Sequence, residues 1–284
     1  MTLNDIDPRA VRRQARRRRA SPPEHAYIQQ RTADAVADRL ALLAGTPLKA
    51  IDVSADGGLA GNAIRARYPK IELLAAGPGA VTRQRRWWQR GKNPPLGPDL
   101  ESLAVADASV GLAVCNLTLP WLAAPDGLFS ELSRVLTADS PVVVVTPGPD
   151  TFQELRTAWI ATEPDCAAVP TFPDMHDLGD AMVRAGFVEP VVDVDRLTVR
   201  FASADTLWKD LQMSGAGNVL RGRRRGLMTP HRLQALSDAL TTTGDGFGIT
   251  IELICGHAFA PRQRRQTTGG EVRLAPQAIG RRRS

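Results

Sequence analysis

The sequence predicts an α/β fold, a parallel sheet with helices packed on both faces, and three stretches carry the prediction. Leu48 to Gly61 reads as a buried strand, Ala50-Ile51-Asp52-Val53, a turn at Ser54-Ala55-Asp56-Gly57-Gly58, and a helix through Asn62 to Arg67. Val110 to Leu117 and Pro141 to Thr146 are apolar at successive positions, as strands covered on both faces must be. Helical periods alternate with these runs, the order that wraps a parallel sheet.

Residues 1–22 are polar and basic and stop at Ser21-Pro22-Pro23, which reads as a basic segment, partly disordered, ahead of the domain. Glu24 to Leu43 sets Ile28, Val36, Leu40 and Leu43 among polar residues, an amphipathic helix. Ile71 to Ala76 gives a second strand ending at Gly77-Pro78-Gly79. Val81 to Pro95 reads as a basic surface helix whose Trp87 and Trp88 either cover a core edge or stack on a base. Ser102 to Val105 reads as a brief strand and Gly127 to Leu136 as a helix. Pro147-Gly148-Pro149 stops the strongest strand, and Asp150-Thr151 can cap a helix from Phe152 to Ile160.

The second half changes pattern. Asp174 to Ala185 is a helix ended by Gly186, Val191 to Phe201 alternates as a strand, and Asp205 to Met213 and Pro230 to Leu240 are helical. Ile249 to Ile254 closes the sheet, and residues past Pro261 look disordered. The domain thus spans 23–261, with lid elements near 161–190 and 203–240, and 262–284 form a basic tail.

The net charge of +6 is clustered at Arg12 to Arg19, at Arg83 to Lys92 and at Arg221 to Arg225, with more in the tail. Such clusters favour an acidic partner, of which an acidic protein fits better than nucleic acid, because arginine runs near termini are weak evidence for the latter. No apolar run reaches the roughly 18 residues of a membrane span. The three cysteines and four histidines are scattered, which argues for a reducing, cytoplasmic setting and against a metal centre. The turn after Asp52 brings a backbone close to a nucleotide-like ligand, although Ser54 and Asp56 stand where a dinucleotide fingerprint has glycine. An ordinary strand-to-helix turn and a cofactor loop both suit it.

Several phrases resemble one family. Glu131 to Leu136, Thr146 to Arg156, Phe172 to Gly179, Ala185-Gly186-Phe187, Asp210-Leu211 with Gly215 to Asn218, and Gly256 to Phe259 are similar to the malonyl-acyl-carrier-protein O-methyltransferases of biotin synthesis. The likeness runs from near residue 7 to near 261. It implies a class I methyltransferase (Rossmann-like) fold, with a seven-stranded, mostly parallel sheet, helices on both faces and a helical lid, using S-adenosyl-L-methionine. On that pattern Asp52, Gly57 and Gly58 face the methionine part, Asp99 and Leu100 meet the adenine, and Asn116 sits beside the methyl group. The acceptor's carboxylate calls for a cationic or amide anchor, for which Arg156, His176 and Asn218 are candidates.

The chain departs from the family at Ser54 and Asp56. Ala75-Ala76-Gly77 stands where an acid should hold the ribose hydroxyls, and Pro22 replaces a tyrosine. Those changes imply weakened cofactor binding. Two alternatives stay open: a non-catalytic relative that escorts an acidic protein, and an arginine hydroxylase like the complex I assembly factor of the same wider group.

Overall fold

The structure, a computed structural model, describes residues 4–77, 100–224, 226, 228–240 and 246–262, with two short strands at 267–268 and 271–272. The expected helix at 81–95, with Trp87 and Trp88, lies outside the described residues, as does Asp99.

Helix α1 (Pro8–Arg19) starts where Asp7 accepts hydrogen bonds from the backbone N–H of Arg9 and Ala10, with Pro8 in the first turn. The Asp7 carboxyl is held down to about 2 by its hydrogen bond to Arg223 and by those backbone donors. The basic segment at 1–22, expected to be partly disordered, therefore contains an ordered helix. Ala10, Val11 and Gln14 turn inward, and Arg9, Arg12, Arg13, Arg16, Arg17 and Arg19 stay exposed.

The order continues with α2 (Tyr27–Leu42), β1 (Lys49–Asp52), α3 (Leu59–Arg67), β2 (Glu72–Ala75), β3 (Ala113–Asn116), α4 (Asp126–Val135) and β4 (Pro141–Pro147). Then come α5 (Gln153–Thr162), α6 (Met175–Arg184), β5 (Val188–Phe201), α7 (Ala204–Met213), α8 (Pro230–Leu240) and β6 (Phe247–Phe259). The main sheet runs β2-β1-β3-β4-β6-β5, with β2, β1, β3 and β4 parallel and β6 antiparallel to both neighbours. It has six strands among the described residues rather than seven, and Ser102 to Val105 forms none. Gly, Pro and Asp around that stretch favour turns, and Val105 packs on the core without a ladder partner.

Alternate side chains of β4 show how the sheet is buried. Val142 and Val144 join Phe129, Leu132, Leu178 and Met182 on the face covered by α4 and α6. Val143 and Val145 join Val36, Leu40 and Ile64 on the face covered by α2 and α3. Each such side chain contributes about 1.5–3 kcal/mol of burial, which is why the valine run reads so clearly. A third apolar group, including Leu155, Leu207, Leu236, Phe247, Ile249 and Ile251, joins α5, α7 and α8 to the half of β6 that runs past β4 and pairs with β5 alone. It forms a lid beyond the end of the parallel strands.

Candidate functional site

The chain leaves β1 towards β2 on one side, whereas β3 lies on its other side. The crevice at the carboxyl ends of β1 and β3 is therefore the topological switch point, where open α/β sheets bind ligands. Asp52 ends β1 there, buried, and its Oδ1 accepts from Ser54 N at 3.0 Å. Burial first, and the nearby Asp56 second, push its carboxyl up to about 7. Gly61 in α3 has no room for a side chain, since a Cβ would stand 2.8 Å from Asp52 Oδ2.

The turn that follows is stitched to β3 by Ala55 N donating to Asn116 O at 2.8 Å. Gly57 and Gly58 both adopt the left-handed region, with φ of 84° and 105°, which explains glycine at these two positions. Space in front of Gly58 is open. Asp56 is buried and folds back over the start of α3, accepting from Gly58 N at 2.8 Å and Ala60 N at 2.7 Å. Its Oδ2 also accepts from Asn116 Nδ2 at 2.8 Å, and the same amide reaches Thr32 Oγ1 at 3.1 Å. Asn116 Oδ1 is buried without a hydrogen-bond partner.

This arrangement decides how the amino-acid end of a sulfonium nucleoside fits. Asn116 Oδ1 is an orphan acceptor suited to an ammonium group. The α3 N-terminus, the usual seat for a ligand carboxylate, is already filled by Asp56. The residues present fit the donor by its ammonium and leave its carboxylate to another partner.

Helix α1 crosses this mouth. Arg18 Nη1 donates to Ala55 O at 2.9 Å, and its guanidinium lies 4.6 Å from the Trp121 ring centroid. Burial lowers its pKa to about 10, and Asp56 acts in the opposite sense. Among the described residues no carboxylate stands within ion-pair distance of it.

Next to the switch point lies a cavity of about 610 Å³. Leu117, just after β3, and Pro147, the last residue of β4, bound it on the sheet side, and Trp159, Phe201, Trp208 and Ile251 form much of its wall. Leu117 and Phe152, both lining it, hold left-handed backbone at φ 57° and 61°. Such strain collects at ligand sites. At another edge, Asp210 accepts from Tyr27 Oη at 2.9 Å and bonds His25 Nδ1 at 2.8 Å, pinning the start of α2 to α7. Burial, followed by Asp210, raises the Tyr27 hydroxyl above its ordinary range.

Of the residues expected from sequence, Asp52, Gly57, Gly58 and Asn116 are brought together at the switch point. Leu100 is buried in one apolar group with Val53 and Ala76. Asn218 lines the cavity, with its amide donating to the carbonyls of Ala167 and Ala168. Arg156 instead donates to the carbonyls of Pro149, Thr151 and Pro170, and His176 is exposed on α6; neither lines the cavity. Sequence reading missed Arg18, Tyr27 and Asp210. Arg18 was one of many basic residues, and only its place one turn beyond inward-facing Gln14 (i, i+4) hinted that it turns in. Arg221, Arg223 and Arg224, read as a basic cluster, pair with Asp5, Asp7 and Glu163.

A family model described as a methyltransferase domain matches residues 75–144. The malonyl-acyl-carrier-protein O-methyltransferase of Laribacter hongkongensis is 35% identical, covering 93% of this chain and 94% of its own. That of Halorhodospira halophila is 37% identical over 98% and 97%. The crystal structure of YcgJ from Bacillus subtilis superposes with a TM-score of 0.53 at 12% identity, covering 80% of this chain and 98% of its own, a likeness of fold.

Proposed function

Because the chain belongs to the malonyl-acyl-carrier-protein O-methyltransferase family, we propose that it methylates the free carboxylate of a malonyl group borne by an acidic carrier protein, with S-adenosyl-L-methionine as donor. The bound donor supplies an electrophilic methyl group on a positively charged sulfur. Everything else falls to the chain. A carboxylate is ionised at neutral pH, so no residue has to remove a proton, and the work is positioning and water exclusion. The observation that supports the reading is the junction at β3: Asn116 is bonded to Asp56 in the turn after β1, and its neighbour Leu117 lines the large cavity.

On this reading Asp52, Gly57, Gly58 and Asn116 surround the amino-acid end of the donor, with Leu100 and Asp99 nearer the adenine. Asn116 Oδ1 accepts from the ammonium, and the open face of Gly58 admits the backbone contact. Asn218 helps shape the acceptor side. The lid of α5, α7 and α8 keeps water from the reacting carboxylate. Helix α1 offers exposed Arg9, Arg12, Arg13, Arg16, Arg17 and Arg19, none paired with a carboxylate among the described residues, at the rim where Arg17 and Arg18 line the cavity. An acidic carrier docking there gains long-range attraction and delivers its prosthetic arm to the cavity. The described residues contain no helix long and apolar enough to cross a membrane, and no candidate metal cluster.

Calorimetric titration with S-adenosyl-L-methionine tests the donor half of this reading. Saturable heat at or below the millimolar range is expected; none at millimolar donor overturns it.

A further inference from the structure

A malonyl group is far smaller than the cavity it is proposed to enter, so most of the space is left to whatever carries it. The volume of about 610 Å³ equals that of roughly twenty liquid waters at ~30 Å³ each. Much of the wall is apolar, with Phe152, Phe201, Leu207, Ile249 and Ile251 in it. Three polar atoms of residues around it are nevertheless buried without a hydrogen-bond partner: Trp159 Nε1, Trp208 Nε1 and Gln29 Oε1. Native proteins satisfy nearly all such groups, because a buried polar atom left unbonded has lost its water and gained nothing in return. Three of them around one cavity point to a ligand that completes them.

The elements that hold these atoms fix the chemistry. Gln29 on α2 is 3% exposed, and its Nε2 donates to Ser214 O at 2.9 Å, so Oε1 is the end left over. Trp159 on α5 and Trp208 on α7 meet edge to face, with ring centroids 6.3 Å apart, and an indole N–H is a donor only. The charged groups nearby are engaged: Asp210 by Tyr27 and His25, and Arg18 Nη1 by Ala55 O. What remains is two donors and one acceptor, all neutral. An ionised carboxylate brings no donor for Gln29, and a hydrocarbon chain brings neither donor nor acceptor. Two secondary amides in series bring two C=O acceptors and two N–H donors, spaced by methylenes that suit the apolar wall.

We propose that Trp159, Trp208 and Gln29 read the amides of the arm that carries the acyl group. The two indole N–H groups donate to its carbonyls, and Gln29 Oε1 accepts from an amide N–H. As substrate-positioning residues they select a malonyl thioester on an amide-bearing arm over a malonyl ester that lacks one. The inference rests on the methyl-transfer reading for the identity of the acyl group, and adds the residues that recognise its carrier. In the free protein the three atoms lie behind the cavity surface, so an arriving arm draws each side chain a short way into the void. Both indoles then change surroundings, and their emission reports it.

Tryptophan fluorescence and calorimetry of the full-length protein, titrated with S-methyl pantetheine, test it without any methyl transfer. Saturable binding at or below about 10 mM is expected, with a change in emission. An analogue with ester oxygen in place of both amide N–H groups should bind about fivefold or more weakly. Trp159→Phe and Trp208→Phe keep an aromatic ring and delete the N–H. Each should weaken S-methyl pantetheine about fivefold, and raise KM for a malonyl carrier by a similar factor with kcat changed less than about twofold. Equal binding of the amide and ester compounds by the unaltered protein overturns the proposal even if the variants fail to fold. So does an absence of S-methyl pantetheine binding, or a folded pair of variants that binds it as before. Methylation of a malonyl carrier with unchanged KM in both variants sinks this inference and leaves the proposed function standing. S-methyl pantetheine binding as expected, with no methyl group reaching the carrier, does the reverse.

Discussion

Asn116 and Asp56 meet across the mouth of the sheet, with Asn116 Nδ2 donating to Asp56 Oδ2 at 2.8 Å while the same carboxylate caps the first turn of α3. Both residues are buried. The family resemblance puts glycine at position 56, where the start of α3 would face a ligand. Here an internal carboxylate occupies the N-terminus of α3, and on the proposed function the donor meets a helix end already neutralised.

Replacing Asp56 with glycine should therefore separate stability from affinity. Asp56→Gly removes the acceptor for two backbone donors, which is expected to cost about 1 kcal/mol of stability. It also frees the α3 N-terminus for the donor carboxylate, and affinity for S-adenosyl-L-methionine is expected to rise by about tenfold. Denaturant unfolding and calorimetry on the same preparation check the two effects. Affinity falling together with stability would show that Asp56 supports the donor.

Asp52 predicts a pH signature. Its carboxyl titrates near 7 in the native protein, against about 3.9 when unfolded. The folded state then binds the proton more tightly, so this contribution to stability is full below about pH 4, declines as pH rises, and is lost above about pH 7. Asp52→Asn should be close to the unaltered protein at pH 4 and more stable by about 1–3 kcal/mol at pH 8. Equal stability differences at both pH values would mean that the Asp52 carboxyl has the same pKa in the folded and unfolded states.

The exposed face of α1 predicts a salt-dependent partner. Arg12, Arg13 and Arg16 together changed to Glu should raise KM for a carrier-borne acceptor by about tenfold at low ionic strength, with kcat changed less than about twofold. Raising salt should weaken the unaltered protein and leave the variant almost unaffected. Steady-state kinetics across a salt series reads this directly, and an unchanged KM would place the carrier on another surface.

Asp210 holds the start of α2 against the lid. Asp210→Ala leaves His25 and Tyr27 without their shared acceptor and is expected to cost about 1–3 kcal/mol. Hydrogen exchange should rise in α7 and around Tyr27 ahead of the sheet. Uniform exchange throughout the domain would show that the lid and sheet open as one.

The sheet was legible because burial writes directly into composition. The valine run at 142–145 is apolar on both faces, and β4 is covered on both. The extra length of β6, thirteen residues from Phe247 to Phe259, was hidden. Gly256 and His257 interrupt the apolar pattern there, and tertiary contacts supply what propensity does not: an added Cβ on Gly256 would meet Met182 Cε at 3.2 Å. The convergence of Asp52, Gly57, Gly58 and Asn116 at the strand ends was legible because strand ends and turns fix them locally. The cavity was not. Arg18, Trp159 and Asp210 lie far apart in sequence and converge only when α1, α5 and α7 pack over the strand ends.

The most direct measurement is the intact mass of malonyl-loaded acyl-carrier protein after incubation with this protein and S-adenosyl-L-methionine. Methyl transfer predicts a carrier heavier by one methylene, with the added group on the ester and released by mild base. A malonyl carrier of unchanged mass, in a reaction where calorimetry shows the donor bound, would contradict the account.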